Sequence, residues 1–255
     1  MMKITWTYKN HVPEETLSAH VAHAHRLGLP QLGCKPVASR LAVVGGAPDL
    51  AERIEELKAF DGEIWAINGA WRYLQAQGID ATFYATDAHD RMVPLVNWAE
   101  RAVMASCVPP MLWNLVRDAE MFDLGFGPGE ISHGCSAATA APHAAMHRGH
   151  KHVTFYGCGS CYVDGRSHAY QTDKSDLLEI ECGGKKFITD PRLWGQVEFL
   201  AEVIRAAPNL FAERSGGLLA ALAEYGDYDV IAASPGIHAA IKRETHDSHL
   251  EKEAS

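Results

Sequence analysis

The stretch LAVVGGAPDLAERIEELKAFDGEIWAINGAWRYLQAQGIDATFYATDAHD, residues 41–90, sets the fold by its rhythm. Short β-rich runs at Leu41 to Val44, Glu63 to Ile67 and Thr82 to Ala85 alternate with helical-period segments at Pro48 to Phe60 and Ala70 to Gln77. Such alternation predicts parallel strands joined by helices that cover both faces of one sheet. The rhythm continues outward. Further strands are predicted at Ala102 to Ala105 and His152 to Tyr156, with helices over Val93 to Arg101 and Ser136 to Arg148. The latter helix is alanine-rich and holds Pro142, which predicts a kink or a late start. The resulting expectation is an α/β, Rossmann-like fold with a mostly parallel sheet, whose ligands gather at the strand carboxyl ends.

Around this unit the chain reads more loosely. Residues 1–40 form an amino-terminal appendage with a strand at Lys3 to Tyr8 and a helix from Glu14 to Leu27. Residues 41–230 form the main domain, and residues 231–255 are an extension that ends in the polar tail THDSHLEKEAS. Within the main domain, Leu177 to Glu181 and Lys185 to Ile188 flank Gly183-Gly184, a hairpin pattern. A helix is predicted over Pro191 to Ala206, and NLFAERSGGLLAALAEYG then reads as a strand, a glycine turn and a short helix.

The 255 residues are 47% hydrophobic and 22% charged, enough for a full core and compatible with one large domain. The formal net charge of −9, from 23 basic and 32 acidic residues, repels nucleic-acid backbones. No apolar run is long enough for a membrane span and the amino terminus lacks a secretory h-region, so a cytoplasmic chain without a membrane partner is expected. Six scattered cysteines, Cys34, Cys107, Cys135, Cys158, Cys161 and Cys182, fit reduced thiols. A homo-oligomer is compatible with the sequence.

Three segments hold candidate chemistry. VVGGAPDL, residues 43–50, ends a strand in two glycines and starts a helix near Pro48, where free amides and the helix dipole favour a phosphate. It is neither a Walker loop nor a full G-x-G-x-x-G, and a ligand-free strand-to-helix turn has the same pattern. In the second segment Asn68 ends one strand, and Asp87, His89 and Asp90 follow the next. Asp87 and Asp90 suit a magnesium ion that keeps waters and bridges to phosphates, although Asp87 equally suits a helix cap. The third segment opens a helix at His133-Gly134-Cys135-Ser136, a second anion-binding start, and later crowds Asp164, Arg166, His168 and Tyr170 into one loop.

The succession VVGGAPDL, INGAWRYLQAQGIDATFYATD, SHGCSAATAA, HVTFYGCGSCYVDGRSHAY and GGKKFITDPRLWGQVEFLAEVI resembles the 6-hydroxymethylpterin diphosphokinase MptE-like family from Leu41 to Glu224. The resemblance implies a Rossmann-like fold and magnesium-dependent transfer of diphosphate from ATP to a hydroxymethyl group on a pterin-like acceptor. A more distant similarity links the layout to bacterial sialyltransferases that use CMP-sialic acid. On this basis Gly45, Gly46, Ala47, Pro48, Asp49, Asn68, Gly134, Cys135, Ser136 and Gly157 are nucleotide-binding candidates, and Asp87 and Asp90 are metal candidates. Asp164, His168 and Tyr170 match the later loop as catalytic candidates, with His168 handling the acceptor hydroxyl proton because histidine titrates near neutrality. Two departures stand out. Gly159 occupies a position where relatives often carry Asp, and Gly183 to Trp194 lacks the histidine that serves the sialyltransferases as base.

The expected function is therefore a nucleotide-dependent transferase using magnesium and ATP, or another nucleotide, with a small-molecule acceptor. The alternatives are a CMP-sugar-dependent glycosyltransferase and a non-catalytic nucleotide-binding protein. Two rival constellations are weaker. Cys158-Gly-Ser-Cys161 has the spacing of a redox pair or half a zinc site but no partner C-x-x-C, so two ordinary thiols are the simpler reading. His20, His23 and His25 share a helix, as a metal site or, more simply, a solvated polar face.

Overall fold

The computed structural model describes residues 12–33, 35, 37–125, 129–131, 136–168 and 177–233. Helix α1 (Glu14–Arg26) carries Glu14 and Glu15 in its first turn and Arg26 in its last, charges that complement the helix dipole. Strand β1 (Arg40–Val44) follows. Its period of two sends Leu41 and Val43 into one hydrophobic cluster and Ala42 and Val44 into another, so both faces of the strand are buried. Next come α2 (Ile54–Lys58), β2 (Glu63–Ile67), α3 (Ala70–Ala76), β3 (Thr82–Ala85), β4 (Ala99–Ala105), α4 (Pro110–Trp113) and β5 (Val116–Phe122). The second half adds α5 (Ala137–Arg148), β6 (His152–Tyr156), β7 (Leu178–Cys182), β8 (Lys185–Thr189), α6 (Pro191–Ala206), β9 (Phe211–Glu213), α7 (Gly217–Tyr225) and β10 (Asp229–Ala233).

Among the described residues seven strands pair in the order β5-β4-β3-β2-β1-β6-β9, with every pairing parallel. Helices α5, α6 and α7 pack on one face, while α2, α3 and α4 pack on the other, as expected for a Rossmann-like α/β fold. From β1 the chain winds outward to β5 and then returns to place β6 on the far side of β1. The carboxyl ends of β1 and β6 are therefore a topological switch point, where open α/β sheets place their ligands. A second, antiparallel sheet, β10-β7-β8, packs on the α6–α7 side through Leu178, Ile180 and Cys182. Gly183 and Gly184 both have positive φ, which the two-residue turn of the predicted hairpin requires.

Two local expectations are corrected, and of the two readings of Pro142 the late start is excluded. No helix spans Val93 to Arg101. Asp90–Leu95 is a 3₁₀ turn containing Pro94, and the chain extends from Ala99 because Ala99 pairs with Val116 of β5. The Pro48 to Phe60 helix is split into a 3₁₀ segment, Pro48–Arg53, and the short α2. Helix α5 starts without delay at Ala137 and passes through Pro142, since Ser136 and Thr139 close a reciprocal capping box. Strand β5 was not expected from VRDAEMF, whose charged residues hide the pattern. Arg117 and Asp118 are exposed, and the buried Glu120 is paired with Arg148. The predicted strand at Lys3 to Tyr8 and the polar tail lie outside the described residues.

Candidate functional site

At the switch point the β1 and β6 loops cross at van der Waals limit. The Gly45 amide donates to the Tyr156 carbonyl at 2.8 Å, and the Ala47 amide donates to the Gly157 carbonyl at 2.8 Å. A Cβ at Gly45 would meet the Gly157 oxygen at 2.5 Å, and one at Gly157, where φ is +57°, would meet the Gly45 oxygen at 2.4 Å. Only glycine at both positions permits this crossing. Above it lies a cavity of about 110 Å³ lined by Gly45, Gly46, Ala47, Asn68, Gly157 and His168 among others. Ser136 and the first helical residues of α5, Ala137 and Ala138, form another wall. The first amides of a helix lack intrahelical acceptors, so this wall favours an anion.

Among the described residues three non-glycine residues adopt positive φ: Asn68 (50°), Ser160 (54°) and Asp164 (50°). Two of them, Asn68 and Ser160, line the cavity. Such strain persists only where surrounding contacts over-determine it, and it concentrates at ligand sites. Asn68 also presents a buried side-chain oxygen, Oδ1, with no hydrogen-bond partner. An unpaired buried acceptor is costly unless something donates to it, which a ligand hydroxyl or amine would do.

Ser160 is held from several sides. Thr189 donates its hydroxyl to the Ser160 carbonyl at 2.8 Å, Gln196 Nε2 donates to Ser160 Oγ at 2.9 Å, and Ser160 Oγ donates to the Cys158 carbonyl at 2.9 Å. Helix α6 is fixed for this task by its N-cap, Asp190, which is fully buried and accepts the Arg192 and Leu193 amides at 2.8 and 3.0 Å. Leu193 and Gln196, three residues apart, thereby reach the cavity wall.

Beneath the crossing sits Asp49. Its Oδ2 is buried without a partner, and a Cβ on Gly159 would lie 3.2 Å from its Oδ1. Burial pushes its carboxyl up to about 6, opposed by its own backbone amide and the nearby Arg53. The space that a side chain at 159 would need is thus shared with this carboxylate. Cys158 and Cys161 are free, buried thiols, and burial pushes Cys158 up to about 12 and Cys161 upward as well. They are protonated near neutral pH, unlike reactive or metal-bound thiolates.

The structure gathers Gly45, Gly46, Ala47, Asn68, Ser136, Gly157 and His168 around one cavity, while Pro48 and Asp49 stand behind it in the 3₁₀ segment. His168 shares a hydrogen bond of 2.9 Å with Ser167 through Nδ1. Asp164 lies on an exposed turn away from the lining residues. Gly134, Cys135 and Tyr170 lie outside the described residues. Asp87 caps its own turn, as Oδ1 accepts the His89 amide at 2.9 Å, and Oδ2 accepts from Arg91 at 3.0 Å. Asp90 opens the 3₁₀ turn that follows. Among the described residues no group of three His, Cys, Asp or Glu is placed to hold a metal ion, so a magnesium ion here would depend mainly on ligand phosphates and water.

Of the α1 histidines, His20 is buried and docks on the sheet side, its Nδ1 donating to the Cys107 carbonyl at 3.0 Å, while His25 is exposed and pairs across to Asp123 at 3.0 Å. Sequence reasoning missed Ser160, Ser167, Leu193 and Gln196 at the cavity. Gln196 was the most accessible of these, a polar residue beside the apolar stripe of Trp194, Val197 and Leu200.

No family model and no curated protein sequence matches the chain. The MptE-like resemblance therefore rests on the quoted motifs alone. Among solved structures the chain is similar to the MAf glycosyltransferase from Magnetospirillum magneticum AMB-1, with a TM-score of 0.64 and 17% identity. The match covers 92% of this chain and 42% of that one, so the chain spans less than half the length of that protein. At this identity the likeness establishes the shared fold. No helix of the described residues is long and apolar enough to cross a membrane.

Proposed function

We propose that the chain is a nucleotide-dependent transferase whose donor is a nucleotide-sugar, with a CMP-linked sugar as the leading candidate. The observation that carries this reading is the cavity at the β1–β6 switch point, where a glycine crossing, an unpaired Asn68 oxygen and the start of α5 converge. A volume of about 110 Å³ suits the phosphate-bearing part of a ligand, because a complete ligand pocket runs to roughly 300 to 1,000 Å³. In sugar transfer the bond between the anomeric carbon and the donor phosphate oxygen breaks, and negative charge grows on that phosphate. The first amides of α5 and the glycine loops are suited to stabilise it. His168 is the candidate for taking the acceptor hydroxyl proton. The fold shared with a glycosyltransferase supports sugar transfer over diphosphate transfer to a pterin-like acceptor.

Thermal unfolding with CMP, CTP and ATP, each with and without magnesium, tests the reading. A ligand at a hundred times its Kd adds about 2.7 kcal/mol to native stability, a readily measured shift. Stabilisation by CMP without magnesium is the expected result. Stabilisation by ATP only with magnesium would replace this reading with diphosphate transfer, and no shift with any of the three would remove the nucleotide site. Binding without transfer from CMP-sugars to any acceptor would leave a nucleotide-binding protein without the enzyme.

A further inference from the structure

Gln196 reaches the candidate cavity from α6, and its neighbours fix which end of its amide points where. Ser160 Oγ has one hydrogen, which it donates to the Cys158 carbonyl at 2.9 Å. Toward Gln196, Ser160 Oγ can therefore only accept, which places Nε2 on that side at 2.9 Å. Oε1 must then face Ser136, whose hydroxyl donates to it at 2.9 Å. Ser136 Oγ in turn accepts the Thr139 amide at 3.3 Å, within the capping box that starts α5. Every hydrogen along the chain Ser136, Gln196, Ser160 is thus assigned by the network itself.

Two consequences follow. The hydroxyl hydrogen of Ser136 is spent on Gln196, so Ser136 offers a ligand no donor while the network stands. Gln196, in contrast, uses one of its two Nε2 hydrogens on Ser160 and lines the cavity. Its oxygen is already occupied, so what remains for a ligand is a second N–H.

We propose that Gln196 is a specificity residue that presents a fixed N–H donor to a phosphate oxygen of the bound nucleotide. The proposal rests on the nucleotide reading of the cavity and adds the polarity of one contact. The same amide joins the cap of α5 to the strained Ser160, so the donor is held in place by both walls that it connects.

The test compares CMP and cytidine binding to wild type, Gln196→Glu and Gln196→Met by calorimetry, with thermal unfolding as a check on folding. Glutamate keeps the shape but loses the donor and adds a negative charge. At pH 8 it should weaken CMP about a hundredfold and cytidine far less, because hydrogen bonds to charged groups are worth the most and like charges repel. Lowering the pH toward 5 favours the protonated carboxyl, whose single hydrogen is taken by Ser160; this removes the repulsion but not the missing donor, so the loss relative to wild type at the same pH should fall toward that of the methionine variant. The readout that a purely structural role would not move is the difference between CMP and cytidine, which share the nucleoside and differ in the phosphate. Methionine, which removes the donor without adding charge, should cost CMP about tenfold and serves if the Glu variant does not fold. Full CMP affinity in a folded Gln196→Met, or equal losses for CMP and cytidine, would overturn the proposal alone. Failure of wild type to bind CMP, CTP or ATP would overturn the nucleotide reading and this proposal together.

Discussion

Helix α5 runs between two poles of the parallel sheet, and the acceptor oxygens at its two ends meet opposite fates. At its amino end, over the strand carboxyl ends, Asn68 Oδ1 has no partner and the loops are strained. At its carboxyl end, Arg148 lies between Glu63 at 2.5 Å and Glu120 at 2.7 Å, with side-chain exposures of 8%, 15% and 4%. Glu63 also accepts from Trp65 Nε1 at 2.9 Å and Thr82 Oγ1 at 3.3 Å, and Arg148 stands 5.8 Å over the Trp65 ring. The larger cavity, about 450 Å³, borders this second pole. Size alone would select this second pole. The second pole answers its carboxylates with protein donors and leaves only nitrogens, Arg148 Nε and His150 Nε2, without a hydrogen bond, whereas the first leaves acceptors and amides for something else to satisfy.

The strongest way to break this contrast is Arg148→Met. It leaves Glu63 and Glu120 buried without their cation, which should cost about 3 to 5 kcal/mol in urea unfolding. Nucleotide affinity of the folded fraction should not change. A loss below about 1 kcal/mol would mean that the carboxylates find other partners, and a selective loss of binding would mean that the poles are coupled through α5.

The second test uses pH, because the poles respond with opposite sign. Asp49 is raised to about 6 from an ordinary 3.8, so the native state binds the proton more tightly than the unfolded chain. Its contribution is therefore full below about pH 4 and is lost as pH rises through 6, by at most about 3 kcal/mol for a shift of two units. His150, at the other pole, is held below its ordinary value mainly by burial, so it contributes above pH 6.5 and loses that contribution as pH falls. Asp49→Asn should remove the decline between pH 4 and 6 and stabilise the protein at pH 7 and above, by up to about 2 kcal/mol. An unchanged pH profile would show that the Asp49 carboxylate is solvated.

How much of this contrast the sequence disclosed depended on the kind of signal. Backbone demands were legible: Gly45 and Gly157 stand at strand ends, Gly183-Gly184 marks a hairpin, and apolar runs such as Leu41 to Val44 read as buried strands. Long-range pairing was not. Strand β5 is disguised by Glu120, which a buried strand tolerates only because Arg148 arrives from 28 residues away. The helix expected at Val93 to Arg101 yielded to strand pairing for a related reason, since Ala99 is decided by Val116 rather than by its own neighbours. At the site, the glycines and Asn68 at the strand ends were found, while Ser160, farther along the β6 loop, was missed, and so was Gln196, because a folded α6 is needed to bring it within 2.9 Å of Ser136 and Ser160.

The smallest expected effect is the sharpest for the candidate site. Asn68 holds φ at 50°, where glycine is at ease and asparagine is tolerated at a cost. Its backbone bonds, from its amide to Tyr84 and from Trp71 to its carbonyl, do not involve the side chain. Asn68→Gly therefore removes the strain and the unpaired oxygen together, against the entropy that glycine adds to the unfolded chain. These terms are each about 1 kcal/mol or less and oppose one another, so stability should move by less than about 1 kcal/mol. Affinity for CMP should nonetheless fall about tenfold, because the oxygen lost has no protein partner and borders the cavity. Measured side by side, a flat unfolding curve with weakened binding would mark Asn68 as a residue kept for its ligand. Unchanged binding would mean that its oxygen faces no ligand, and a loss of stability above 2 kcal/mol would mean that the side chain serves the fold, as Arg148 does at the other pole.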